Sequence, residues 1–141
     1  MKKFSGQCHC GHVTVEFRAT SDALKARACQ CGFCRRHGAK SVTDTDGFAE
    51  ITSTGPINRY RFGLMTADYL ICPECGTYVG SALEADGITR VTLNAAGLRM
   101  EPWAEGAADP VDYSGETLHE RLDRRRERWT PARVRERRTA A

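Results

Sequence analysis

Alternating polar and apolar positions dominate the first two-thirds of the chain. His12-Val13-Thr14-Val15-Glu16-Phe17-Arg18 puts Val13, Val15 and Phe17 on one side, the period-two signature of a strand with one buried face. Ala23 to Ala28 reads as a second strand and Phe48 to Thr52 as a third. A Gly55-Pro56 turn introduces Ile57 to Phe62, which alternates again. Tyr69 to Ile71 and Tyr78 to Gly80 are shorter runs, and Ile88 to Leu93 is the clearest late strand. Gly11, just ahead of the first strand, suits a tight turn. Short strands, glycine-bearing turns and no βαβ pattern predict a mostly β fold.

The pattern then changes. Glu101 to Pro110 reads as a loop. Glu116 to Trp129 reads as a helix with a narrow apolar stripe of Leu118, Leu122 and Trp129. Pro131 should interrupt it, and residues 132–141 are expected to be frayed or disordered. The expected organisation is one domain over 1–115 and a helical or partly disordered extension over 116–141.

The 141 residues suffice for one core, and a hydrophobic share of 40% is lean enough for metal sites to add useful stability. Charge divides unevenly. Residues 1–115 hold 12 Lys/Arg against 13 Asp/Glu, whereas 116–141 hold nine Arg against five Asp/Glu. The net +3 is therefore a property of the extension. No run approaches the roughly 20 apolar residues of a membrane span. No apolar stretch of signal-peptide length follows Lys2-Lys3, so the expected location is the cytoplasm.

Cysteine usage carries the chemistry. All seven cysteines fall in three blocks, Cys8-His9-Cys10, Cys29-Gln30-Cys31-Gly32-Phe33-Cys34 and Cys72-Pro73-Glu74-Cys75. An odd count argues against a complete disulfide framework, and a reducing compartment disfavours one. Thiolates at these spacings suit zinc, which takes tetrahedral sulfur ligation without redox change. Four thiolates close a structural site; three leave a position for water or substrate. Spacing alone permits two partitions. The two Cys-x-x-Cys pairs can form a ribbon, or the first and last blocks can join and leave the middle block as a three-cysteine site.

Gly6-Gln7-Cys8-His9-Cys10-Gly11 before a strand, Cys29 to Arg36, and Cys72-Pro73-Glu74-Cys75-Gly76-Thr77 together resemble the family of glutathione-dependent formaldehyde-activating enzymes, which includes centromere protein V. Pro102-Trp103 fits a late position of the same pattern, and the likeness spans about residues 4 to 115. The resemblance implies a tent-like arrangement of small antiparallel sheets held by zinc. It implies a structural zinc on Cys8, Cys10, Cys72 and Cys75 and a catalytic zinc on Cys29, Cys31 and Cys34. The implied reaction joins glutathione and formaldehyde as S-hydroxymethylglutathione, formally a carbon–sulfur lyase in reverse. Small-molecule thiol and aldehyde are thus the expected partners.

Arg35 and Arg36 follow the proposed catalytic cluster and are candidate contacts for a substrate carboxylate, because guanidinium pairs with it bidentately. Trp103 is the candidate aromatic wall of the pocket, while Tyr60, Tyr69 and Tyr78 read mainly as core packing. His9, His12 and His37 stand beside the cysteine blocks; His37 reads as a surface residue. Gln30 occupies a position where the family often has histidine, and glutamine cannot act as a base.

The rival reading is a non-catalytic zinc-stabilised interaction module whose arginine-rich extension binds nucleic acid. Arg121, Arg124, Arg125, Arg126, Arg128, Arg133, Arg135, Arg137 and Arg138 support it. Glu116, Glu120, Asp123, Glu127 and Glu136 interrupt that run, so a solvated helical appendage is expected and nucleic acid is not the expected partner. Homo-oligomerisation is compatible with the sequence.

Overall fold

Residues 1–137 are described by the computed structural model of the chain. Arg138 and the last three positions of the extension lie outside the described residues. Eleven strands and three helices follow in the order β1 (Lys2–Gln7), β2 (Val13–Ala19), β3 (Ala26–Cys29), α1 (Gly32–His37), β4 (Ser41–Val42), β5 (Phe48–Ser53), β6 (Asn58–Tyr60), β7 (Asp68–Ile71), β8 (Tyr78–Ala85), β9 (Ile88–Asn94), α2 (Ala95–Leu98), β10 (Ala108–Val111), α3 (Leu118–Arg128) and β11 (Thr130–Glu136). The architecture is mostly β, as the alternation predicts.

The strands form one hydrogen-bonded network in the order β1-β2-β5-β11-β9-β4-β3-β10, with β8, β7 and β6 branching from β9. Most pairings are antiparallel, but β3 with β10 and β5 with β11 are parallel. The expectation of antiparallel sheets needs that correction. Both parallel partners arrive over long connections rather than hairpins, the geometry a parallel pair requires.

On β2 the predicted face is realised: Val13, Val15, Phe17 and Ala19 are buried while Thr14 and Arg18 are exposed. Ile51, Leu70, Val79, Val91 and Leu93 meet them in a single main core. Gly80 is required where β8 crosses β9, because an added Cβ would lie 2.5 Å from the Thr92 carbonyl oxygen. Gly11 sits at φ +83°, a left-handed turn between the first cysteine pair and β2.

The chain beyond residue 115 departs most from expectation. Thr117 caps α3 by accepting from the Glu120 N–H, and the Glu120 carboxylate accepts from the Thr117 N–H in return. The helix ends ahead of Pro131, as predicted. Residues 130–136 are not frayed: β11 lies between β5 and β9. Its Thr130 hydroxyl is fully buried and accepts from the Asp44 N–H at 2.8 Å. Glu136 accepts from the Ile57 N–H and pairs with Arg59. Trp129 is 4% exposed and packs with Ala67 and Leu83 in a satellite core. The extension is thus part of the sheet rather than an appendage. Its arginines line the strand's outer face, where Arg133 and Arg135 are exposed and Ala132 and Val134 are half-buried.

Candidate metal centres and the pocket beside them

Cys8 and Cys10 lie in the turn between β1 and β2, and Cys72 and Cys75 in the turn between β7 and β8. The fold brings these turns together across 62 residues of sequence, with the four sulfurs all within 4.8 Å of one another. Cys8 and Cys10 sulfurs are 3.8 Å apart and those of Cys10 and Cys72 are 3.7 Å apart. Four thiolates at about 2.3 Å from a tetrahedral zinc have edges of about 3.8 Å. The donor set therefore fits such an ion. Backbone and side chain support it too: the Val13 N–H donates to the Cys8 sulfur at 3.2 Å, and the Cys75 sulfur is 3.2 Å from the Thr77 side-chain hydroxyl. Burial pushes the Cys72 thiol up to about 12. Burial also acts against Cys75, but the Thr77 hydroxyl and backbone bonds bring it down to about 5.

Cys29, Cys31 and Cys34 form the second set, again within 4.8 Å of one another. Cys29 ends β3, Cys31 is the N-cap of α1, and Cys34 sits in the helix's first turn. The Cys34 N–H donates to the Cys31 sulfur at 3.3 Å. The three thiols share one network. Hydrogen bonds from Cys29 and then Cys34 hold Cys31 at about 2, while Cys29 and Cys31 push Cys34 far up. The structure therefore brings together two groups that could each hold a metal ion, four sulfurs in one and three in the other.

A narrow pocket of about 50 Å³ opens beside the second set. Cys29 and Cys34 border it, with Tyr69, Tyr78, Arg27 and Arg125 around them. Burial raises the Tyr69 phenol to about 12 and also pushes the Tyr78 phenol well above its ordinary 10, so both remain protonated at neutral pH and able to donate. The Tyr78 hydroxyl is already engaged, 2.6 Å from the Ser81 hydroxyl. Phe33 of α1 stacks edge-on against both tyrosines at 4.9 Å, giving the centre an aromatic wall.

Other predicted residues fall elsewhere. Trp103 lies in the main core, tilted against Phe4 and Phe17, with its indole N–H donating to the Leu24 carbonyl at 2.7 Å. The pocket wall it was expected to supply comes instead from Tyr69 and Tyr78. Arg35 borders a shallower groove on another side of the cluster, shared with Cys29 and Cys34. Arg36 is exposed and folds back to donate to the Gly32 carbonyl at 3.0 Å. Gln30 turns its amide to the Ala28 carbonyl. His12 bonds the Thr54 hydroxyl and approaches the Pro56 carbonyl, tying down the next turn rather than facing a sulfur. His9 is exposed, and His37 rests against the Phe33 ring at 4.5 Å.

Sequence reasoning missed Arg27, Tyr113, Arg124 and Arg125, all of which line the pocket. Two signals were present. Arg27 is two residues before Cys29 on one strand, hence on the same face. Arg125 falls within the helical stripe of Leu122 and Trp129 and is only 5% exposed.

A mostly β domain in which separated turns gather one four-sulfur and one three-sulfur set has two places that could each hold a metal ion. The particular family follows from comparison. The profile of the glutathione-dependent formaldehyde-activating enzymes matches residues 3–108, and the chain belongs to that family. The crystal structure of a Rhodobacter sphaeroides protein, a structural genomics target, is similar at 30% identity and a TM-score of 0.59. The match covers 76% of this chain and 99% of that one. Helix α3 and strand β11 lie beyond the segment that the family profile matches. Among the described residues, no helix is long and apolar enough to cross a membrane.

Proposed function

We propose that the chain is a zinc-dependent enzyme of the carbon–sulfur lyase type that makes or breaks a thiol–aldehyde adduct, with S-hydroxymethylglutathione formation from glutathione and formaldehyde as the first reaction to test. The observation that carries the reading is the three-sulfur set of Cys29, Cys31 and Cys34 on the edge of an open pocket. A closed four-sulfur set stands elsewhere and is assigned a structural zinc on Cys8, Cys10, Cys72 and Cys75. Family membership supports the reaction class.

Cys29, Cys31 and Cys34 would hold the second zinc, whose chemistry is to lower the pKa of a thiol bound in an open position. The remaining work falls to the chain. In the forward direction the thiol sulfur forms a bond to the aldehyde carbon. The carbonyl π pair moves to oxygen, which takes up a proton, and the thiol proton is released. The protonated Tyr69 hydroxyl borders the pocket and is suited to donate to the aldehyde oxygen. Phe33 and the two tyrosines exclude water on one side. Arg35, beside the open groove, is the proposed cationic contact for a substrate carboxylate on that side, with Arg36 adding positive charge from the same helix. Trp103 is not carried into this proposal because it packs within the core. Gln30 supplies no base, so the thiol proton is released to solvent.

The test is zinc content followed by exchange spectroscopy. Two zinc ions per chain and accelerated exchange between formaldehyde and S-hydroxymethylglutathione are expected. Two ions with exchange at the uncatalysed rate would overturn the formaldehyde–glutathione assignment.

A further inference from the structure

We propose that helix α3 completes an oxyanion subsite next to the three-cysteine set, in which Arg27 and Arg125 receive a carboxylate of the organic thiol or of its aldehyde adduct. The inference rests on the reading of Cys29, Cys31 and Cys34 as the reaction centre, and it adds a substrate class: the reacting molecule carries its carboxylate within one pocket's reach of the sulfur.

Arg125 is the central observation. It is 5% exposed, yet its Nε has no partner among the described residues. One terminal nitrogen donates to the Thr66 hydroxyl at 2.6 Å, and the guanidinium lies over the Trp129 ring, 4.7 Å from its centroid. No carboxylate neutralises it among the described residues. A guanidinium desolvated without a counter-charge is costly to keep. Burial lowers its pKa accordingly.

Arg27 reaches the same pocket from β3 and is also without an ion pair among the described residues; its one side-chain bond is to the Thr43 hydroxyl at 2.7 Å. Neither guanidinium is hydrogen-bonded to a sulfur; each has a hydroxyl partner instead, Thr43 for Arg27 and Thr66 for Arg125. The third cation of the pocket, Arg124, is already matched. It forms a two-pronged pair with Glu116 at 2.7 and 3.0 Å and lies 3.5 Å above the Tyr113 ring. Glu116 is thereby committed to Arg124 and to Arg121. No Asp or Glu lines the pocket. Arg27 and Arg125, neither of them in an ion pair among the described residues, line the same pocket as Cys29 and Cys34, and a guanidinium is suited to pair with a planar oxyanion. Because Arg125 lies outside residues 3–108, this part of the site is not contributed by the segment that defines the family.

The test uses the full zinc-loaded chain with ¹⁵N-labelled arginine. Acetate, mercaptoacetate, 2-mercaptoethanol and inorganic phosphate are titrated separately while the Arg125 Nε–H resonance is followed. Acetate and mercaptoacetate are expected to shift that resonance saturably, and 2-mercaptoethanol is not. Arg27→Gln, at a half-exposed site, should weaken mercaptoacetate about tenfold with unchanged zinc content and melting temperature. Arg125→Lys keeps the charge but loses the planar fork and should weaken it as well. Three results would overturn the subsite: no saturable shift with mercaptoacetate, equal affinity in Arg27→Gln, or tighter binding of phosphate than of either carboxylate. Failure of the enzyme reading looks different. A chain that binds mercaptoacetate at Arg125 but never accelerates adduct exchange keeps the subsite and loses the reaction.

Discussion

Replacing Trp129 by alanine tests whether the chain beyond residue 115 belongs to the fold. Its side chain is 4% exposed and closes the satellite core of Ala67 and Leu83. A buried tryptophan removes about 150–250 Å² from water, which at about 25 cal/mol/Å² is an upper bound of about 4–6 kcal/mol. Truncations of this kind cost about 3–5 kcal/mol. The loss should be at the upper part of that range, because the Arg125 guanidinium also loses the ring beneath it. With a urea dependence of about 2 kcal/mol/M for a chain of this size, the unfolding midpoint should fall by about 2 M. The assay is equilibrium urea unfolding at fixed zinc, followed by circular dichroism and by fluorescence of Trp103, the remaining tryptophan of two. Leu118→Ala is the internal control. Leu118 is on the same helix but 44% exposed, so its loss should cost under about 1 kcal/mol. If Trp129→Ala costs no more than Leu118→Ala, the integration of the extension into the core is refuted.

Cys72→Ser should lose one zinc and lower the melting temperature by roughly 10 °C or more, whereas Cys31→Ser should lose one zinc with a much smaller change. Equal melting of the two variants, measured with metal analysis on the same samples, would contradict the division into structural and reactive sets. Gly80→Ala should destabilise by about 1–3 kcal/mol, because the new Cβ meets the Thr92 carbonyl oxygen and β8 must shift off β9; an unchanged thermal midpoint would show that the crossing has slack. Glu116 is held below its ordinary 4.5, first by hydrogen bonding from Arg124, with Arg121 adding to it. A lowered folded-state pKa means that its stabilisation is complete above 4.5 and is lost as pH falls through the folded value. Glu116→Gln should therefore be less stable than wild type at pH 7, and the gap should shrink in acid unfolding below about pH 4.5; a gap independent of pH would remove the ion pair from the account.

Where burial is one-sided, the sequence was legible. Val13, Val15 and Phe17 alternate with polar residues because β2 has a single inward face, and β5 follows the same logic, whereas β9 exposes Ile88 and buries Val91 to Asn94 on both faces. β1 was not foreseen, since Lys2 to Gln7 is mostly exposed and owes its conformation to pairing with β2. β11 did carry an alternation, Ala132 and Val134 against Arg133 and Arg135, but its charge obscured a strand whose apolar side is only half-buried. The two sulfur sets were readable because metal ligation imposes tight spacing within each turn. Which turns meet was not written in spacing, and the structure joins the first block to the last. The pocket's cations were hidden for a related reason. Arg125 sits among nine arginines of the extension, and its place on the stripe of Leu122 and Trp129 was the one sequence cue that it is buried.

The placement of β11 has a consequence for biosynthesis. β5 and β9 leave the ribosome well before the strand that lies between them. Until it emerges, the whole second edge of β5 is open, with unpaired N–H and C=O groups available to any neighbouring chain. Closing that edge links residues about 80 positions apart and must wait until the chain through β11 has been synthesised. The nascent chain therefore passes through a stage in which both cysteine turns exist but the sheet is not yet sealed, and a stalled or prematurely terminated product would be captured at its stickiest.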